Sequence, residues 1–166
     1  FNKRYIVGYH LLGLPIEEIM FFFFIPYSCT FTYYSIKILL PKNQFFLQHH
    51  KKITNALLVI TPIVAIIFSH QYYTVSTFGF LFIFILIIKL QQYNFAYFYL
   101  SFCFVIFFFL ITNGVLTGSF IDEPVVWYNN QENFGIRVGT IPLEDFFYGF
   151  LMCAFNVRLY EYFKSK

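Results

Sequence analysis

The sequence predicts an all-α, polytopic integral membrane helix bundle with two homologous parallel repeats. Three observations carry that expectation. The 166 residues are 59% hydrophobic and 25% aromatic with only 11% charged, whereas a soluble domain carries about 25% charged residues. Several stretches approach the roughly 20 apolar residues that span a bilayer. Two segments far apart in the chain share one acid-bearing motif. The composition excludes disorder, a coiled coil, a collagen-like chain and a disulfide scaffold. A net charge of +3 is too small and too dispersed for a nucleic-acid partner.

Five windows read as spans. The first covers about residues 14–40, holds the Phe21–Phe24 run and carries Pro26 as a kink. The second, about 53–69, contains Pro62; the third covers about 73–88 and the fourth about 95–116. The last, about 141–163, closes the chain. Residues 1–40 read as the end of one repeat and 41–166 as a second, together one membrane domain. The chain opens on Phe1 without a signal peptide, so sequence upstream of it is expected.

Charge orients these spans. A cytoplasmic 36–52 connection puts Lys37, Lys42, Lys51, Lys52, Lys89, Arg158, Lys164 and Lys166 on one side. Lys3, Arg4 and Arg137 fall on the other, so the positive-inside rule favours this orientation in a multi-pass protein of the cell (inner) membrane. The first and fifth helices then run in the same direction.

Those two helices carry the repeat. Gly8, Pro15, Glu17 and Glu18 align with Gly135, Pro142, Glu144 and Asp145, each copy reading Gly, six residues, Pro, apolar, Glu, acid, then aromatics. Proline in a first turn costs no hydrogen bond, and acids there suit the positive end of the helix dipole. As a surface cap such an acid contributes roughly 0.3–1 kcal/mol. Its recurrence, with all four acids at one membrane face, favours a shared site instead, because repeated halves commonly build a site at their interface. Neighbouring residues point about 100° apart on a helix, so one acid of each pair is expected to face the interior. Glu17 and Glu144, identical in both copies, are favoured.

The remaining polar residues read more plainly. The 117–140 segment is the one long polar loop, with Trp127 and Tyr128 as interface anchors. Arg137 either neutralises an acid or sits among headgroups. Asn113-Gly114 reads as a helix end. Cys29, Cys103 and Cys153 lie in apolar stretches without C-x-x-C spacing and read as packing residues. The histidines lack metal-ligand spacing, and no dinucleotide, Walker or G-x-S-x-G motif occurs.

Several stretches together resemble a known family. They are Gly13-Leu14-Pro15-Ile16-Glu17-Glu18 with Phe21-Phe22, Asn113-Gly114-Val115-Leu116-Thr117-Gly118, Glu123-Pro124-Val125-Val126-Trp127-Tyr128-Asn129, and the run from Gly135 to Tyr148 through Pro142-Leu143-Glu144-Asp145. The chain is similar to the membrane-integral lycopene cyclases of the heterodimeric (c/d) type, in their fused form. It lacks the helices that precede the first motif in that family, and so looks N-terminally truncated. The resemblance implies cyclisation of the linear ends of lycopene to β-ionone rings, an isomerisation with Glu17, Glu18, Glu144 and Asp145 as catalytic acids. It further implies Phe21, Phe24, Tyr148, Arg137 and Asn113 as residues that hold substrate or stabilise a cation, and no cofactor or metal. The partners it implies are a lipid-soluble carotenoid, membrane lipid and other carotenoid-pathway enzymes. A neutral carboxylic acid, favoured by an apolar site, can protonate a terminal C=C, a second carboxylate can remove a ring proton, and aromatic faces can stabilise the cation between. Competing readings are a related carotenoid cyclase with another substrate or ring product and a small membrane transporter. A transporter should carry polar groups near mid-helix rather than at helix starts. A prenyltransferase lacks its Asp-rich Mg²⁺ motifs here, and a non-catalytic assembly subunit is a further alternative.

Overall fold

The computed structural model describes residues 2–41 and 44–165. Phe1, Lys42, Asn43 and Lys166 lie outside the described residues, so the structure does not place Lys42 or Lys166, two of the basic residues used for orientation. Five helices follow in order: α1 (Ile16–Leu39), α2 (Gln44–Ile67), α3 (Tyr72–Leu90), α4 (Ala96–Leu116) and α5 (Leu143–Lys164). A small antiparallel hairpin precedes each repeat helix, β1 (His10–Leu11) with β2 (Leu14–Pro15) before α1 and β3 (Arg137–Val138) with β4 (Ile141–Pro142) before α5.

Helices α1 to α4 are long and apolar enough to cross a membrane. The expectation of five such helices is met by four. Helix α5 carries Glu144, Asp145, Arg158, Glu161 and Lys164 near its two ends, leaving the uncharged stretch 146–157 between them. It packs against α1 and α3 and buries Gly149, Phe150, Cys153, Ala154 and Val157. Helix α2 begins well before the expected residue 53, because Gln48, His49, His50, Lys51 and Lys52 continue the helix beyond its apolar part. Hydropathy registers the bilayer, whereas the helix does not stop there. Pro26 and Pro62 lie inside α1 and α2.

The core explains the arrangement. Leu81, Ile85 and Ile88 of α3 meet Phe98 and Tyr99 of α4, Phe150 and Val157 of α5, and Cys29 and Tyr33 of α1. Phe95 and Phe98 lie 4.6 Å apart between ring centroids, and Phe98 meets Phe150 edge-on at 5.0 Å, contacts worth about 0.5–1.5 kcal/mol beyond their buried area. Helix α2 lies outside this centre against α3 and α4, anchored by the Thr54 and Tyr99 hydroxyls 2.7 Å apart. Phe23, Tyr27 and Phe31 of α1, Ile66 of α2, Phe80 of α3 and Phe107 of α4 remain exposed, the apolar outer surface that a bilayer requires. At the end of the bundle away from the hairpins, Glu161 accepts from the Tyr33 hydroxyl at 2.8 Å and pairs with Lys37 at 3.2 Å.

The hairpins set how each acidic helix begins. Pro15 and Pro142 occupy the N-cap, one position ahead of the first helical residue, with φ/ψ of −57/143° and −58/141°. The expectation of proline inside the first turn is therefore corrected. Each proline ends a strand in extended backbone, and its missing N–H is not needed at either task. Gly139 takes φ 65° at the turn of the second hairpin, and Leu12 takes φ 54° at the matching position of the first. A branched side chain in this left-handed region costs roughly 1–2 kcal/mol, and Leu12 is 95% exposed with nothing to compensate. Leu12→Gly should therefore stabilise the purified protein by about 1 kcal/mol, read as a higher melting temperature in detergent; an unchanged or lower value would contradict the assigned strain.

Candidate active site

The identical glutamates of the two repeats perform one identical task. Glu17 Oε1 accepts from the Val7 N–H at 2.6 Å, and Glu144 Oε1 accepts from the Phe134 N–H at 2.8 Å. One residue earlier in each helix, the Ile16 N–H donates to Tyr9 O at 3.0 Å and the Leu143 N–H to Ile136 O at 2.9 Å. Each hairpin is thus strapped to its own helix by the same pair of bonds. Glu144 is fully buried and also accepts from the Thr74 hydroxyl at 2.7 Å. The second oxygens of Glu17 and Glu144 are buried without a hydrogen-bond partner among the described residues.

The second acids stand in different surroundings. Asp145 accepts three side-chain donors from three parts of the chain: the Tyr73 hydroxyl (2.6 Å) from α3, the Asn113 amide (2.8 Å) from α4 and the Tyr128 hydroxyl (2.6 Å) from the loop before β3. An ionised carboxylate offers about four lone-pair sites, so one acceptor direction remains. Glu18 makes no side-chain hydrogen bond among the described residues. Both acids line a cavity of about 410 Å³, together with Glu17, Tyr73, Asn113 and Tyr128 and with the rings of Phe21, Phe22, Phe109 and Tyr148.

A second cavity of about 290 Å³ shares Phe21, Phe109, Asn113 and Tyr148 with the first and runs on between α1, α4 and α5. Its α1 wall is Phe21, Ile25, Ser28, Cys29 and Thr32, the three- and four-residue spacing of one helical face. The two cavities join a polar end at the hairpins to an apolar interior.

Several expectations change here. Glu17 and Glu18 both reach the first cavity, although adjacent acids were expected to diverge; at a helix's first turn no preceding turn blocks either side chain. Glu144, one of the two favoured acids, lines neither cavity. Phe24 is 58% exposed on the outer face of α1 and also lines neither. Arg137 does not pair with an acid among the described residues. It donates to Thr140 O at 2.7 Å and Asn130 Oδ1 at 2.6 Å, and its guanidinium lies 5.9 Å from the Tyr128 ring centre. Asn113 lies in the last turn of α4, where the helix end was expected, and both its amide and the Tyr128 hydroxyl donate to Asp145. Tyr73 and Thr74 were not anticipated; the Tyr-Tyr-Thr sequence opening α3 at the face of the acids was the available signal.

Burial, and then the neighbouring Asp145 carboxylate, push the Tyr128 phenol above the ordinary tyrosine range. A raised phenol keeps its proton, so its donation to Asp145 persists through neutral pH. The folded state's hold on that proton stabilises the protein fully below the unfolded value of about 10 and is lost as pH rises beyond it. Between about pH 9 and 11, the wild type should therefore lose more thermal stability than Tyr128→Phe. Parallel losses in the two proteins would contradict the assignment.

Comparison with known families decides the lineage. The family model described as Lycopene cyclase matches residues 1–36 and 70–163. The chain belongs to the lycopene cyclase family. The match takes in both hairpins, both acid pairs, Tyr73, Asn113 and Tyr128, and leaves out the peripheral α2 together with the last turn of α1. No curated protein and no solved structure matches the chain. Membership of this carotenoid-cyclase family accounts for the membrane-suited helices and implies a lipophilic carotenoid substrate.

Proposed function

We propose that this family member closes the linear ends of lycopene into β-ionone rings by acid–base isomerisation. The observation that carries the reading is one cavity in which Glu18, an acid without side-chain hydrogen-bond partners among the described residues, and Asp145, an acid gripped by three donors, share aromatic walls.

Ring closure needs a proton delivered to the terminal C=C and a different proton removed after the new C–C bond forms. Glu18 gives its proton to the inner CH carbon of the terminal C=C, leaving a tertiary cation on the carbon that bears the two methyl groups. The neighbouring C=C attacks that cation, and Asp145 takes the ring proton on its remaining lone pair. One proton enters and one leaves, so the product is an isomer and no electron donor or acceptor is required. Phe21, Phe22 and Tyr148 line the cavity in which the cation forms, and a cation–π contact in a desolvated site contributes about 2 kcal/mol. Glu17 and Glu144 support the geometry by fixing the hairpins. The straight polyene runs into the second cavity, whose walls are almost wholly apolar.

Expression of the protein in lycopene-accumulating bacteria tests the reading. Cyclic carotenoids should replace lycopene in the pigment extract. Lycopene alone, with the protein present in the membrane, would contradict the proposal.

A further inference from the structure

Cys29 of α1 and Cys153 of α5 are 124 residues apart in sequence, yet their sulfurs lie 2.7 Å from each other. Both side chains are buried, 4% and 2% exposed, and both line the apolar cavity between α1, α4 and α5. The separation is only about 0.7 Å longer than a disulfide bond of about 2.05 Å. Along their helices the two cysteines lie about 20 Å from Ile16 and about 15 Å from Leu143, at 1.5 Å per residue, which places the pair near the middle of a bilayer. Cys103, the third cysteine, is exposed on α4.

We propose that Cys29 and Cys153 form a reversible disulfide that ties α1 to α5 across the wall of the apolar cavity, with a lipid-soluble quinone as the oxidant. The two thiols lose two electrons and two protons as the S–S bond forms. The quinone takes up both and becomes the hydroquinone. The location selects this class of oxidant. Water-soluble thiols keep cytosolic cysteines reduced, but they do not partition into the hydrocarbon layer where this pair sits, whereas a quinone does. The bridge couples the width of the cavity to the redox state of the membrane, because α1 and α5 can then no longer separate at this depth.

The test counts free thiols. Membranes containing the full chain are treated with decylubiquinone or with dithiothreitol, denatured in SDS, and tagged with polyethylene-glycol maleimide. The quinone-treated protein should carry one tag, on Cys103, and the reduced protein three, one for each cysteine in the chain. Cys103→Ser should carry none after quinone and two after reduction, and Cys29→Ser should carry two under both conditions. Three tags after quinone treatment would overturn the proposal. So would a loss of tags that depends on Cys103 or that accompanies a disulfide-linked dimer.

Discussion

Asp145→Asn should lower ring formation by at least roughly 10²-fold, the lower range for a lost general acid or base, while the protein continues to accumulate in the membrane. The substitution keeps the size of the side chain but removes its capacity to take a ring proton. With its carbonyl oxygen at the Oδ2 position the asparagine still accepts from the Tyr128 hydroxyl and the Asn113 amide. Its NH2 group then takes the place of Oδ1, so the bond from the Tyr73 hydroxyl at 2.6 Å is lost, at a cost of about 1–3 kcal/mol. Product must therefore be compared at matched membrane abundance. Near-normal cyclic carotenoid at equal abundance would remove Asp145 from the acid–base role.

Glu18→Gln should cost a comparable factor, at least roughly 10²-fold, for the complementary reason. Glutamine has no proton to give to a C=C, and among the described residues the Glu18 side chain makes no hydrogen bond whose loss could disturb the fold. Glu144→Gln supplies the contrast. Its amide oxygen still accepts from the Phe134 N–H and the Thr74 hydroxyl, and residue 144 lines neither cavity, so its effect should stay below about tenfold, under the range for a lost proton-transfer group. The opposite ranking, with Glu144→Gln far more damaging than Glu18→Gln, would assign the proton to the acid that the repeat pattern alone favours.

The place of Glu144 outside both cavities shows where sequence reasoning stops. The helices were legible because bilayer thickness imposes a length and an apolar composition on α1 to α4, and the parallel repeat was legible because Pro15-Ile16-Glu17-Glu18 and Pro142-Leu143-Glu144-Asp145 are written twice. Identity between copies does not separate the acids that meet the cavity from those that do not: Glu17 lines it and Glu144 does not. Glu17 and Glu144 match because each straps the same hairpin to the same helix, a structural duty that repeats with the fold. Glu18 and Asp145 differ in length and in surroundings: Asp145 sits among Tyr73, Asn113 and Tyr128, and among the described residues Glu18 has no such partners. Those three donors come from α3, α4 and a loop, so no local spacing announces them. Tyr128 and Asn113 were visible as polar residues but were read by their local settings, a loop beside Trp127 and a polar break in an apolar run. Only the packing of α3 and α4 around the start of α5 turns them toward one carboxylate. The hairpins escaped notice because two-residue strands are too short to show alternation.

The central claim is that ring closure here is a proton-in, proton-out isomerisation by side chains alone. Membranes containing the protein, supplied with lycopene in D2O, test it by mass spectrometry of the product. The account predicts a cyclic carotenoid with the hydrogen count of lycopene and one deuterium for each ring formed, because the proton delivered by the acid exchanges with solvent while a different one is removed. A cyclic product without deuterium, or one that has gained or lost two hydrogens relative to lycopene, would contradict it.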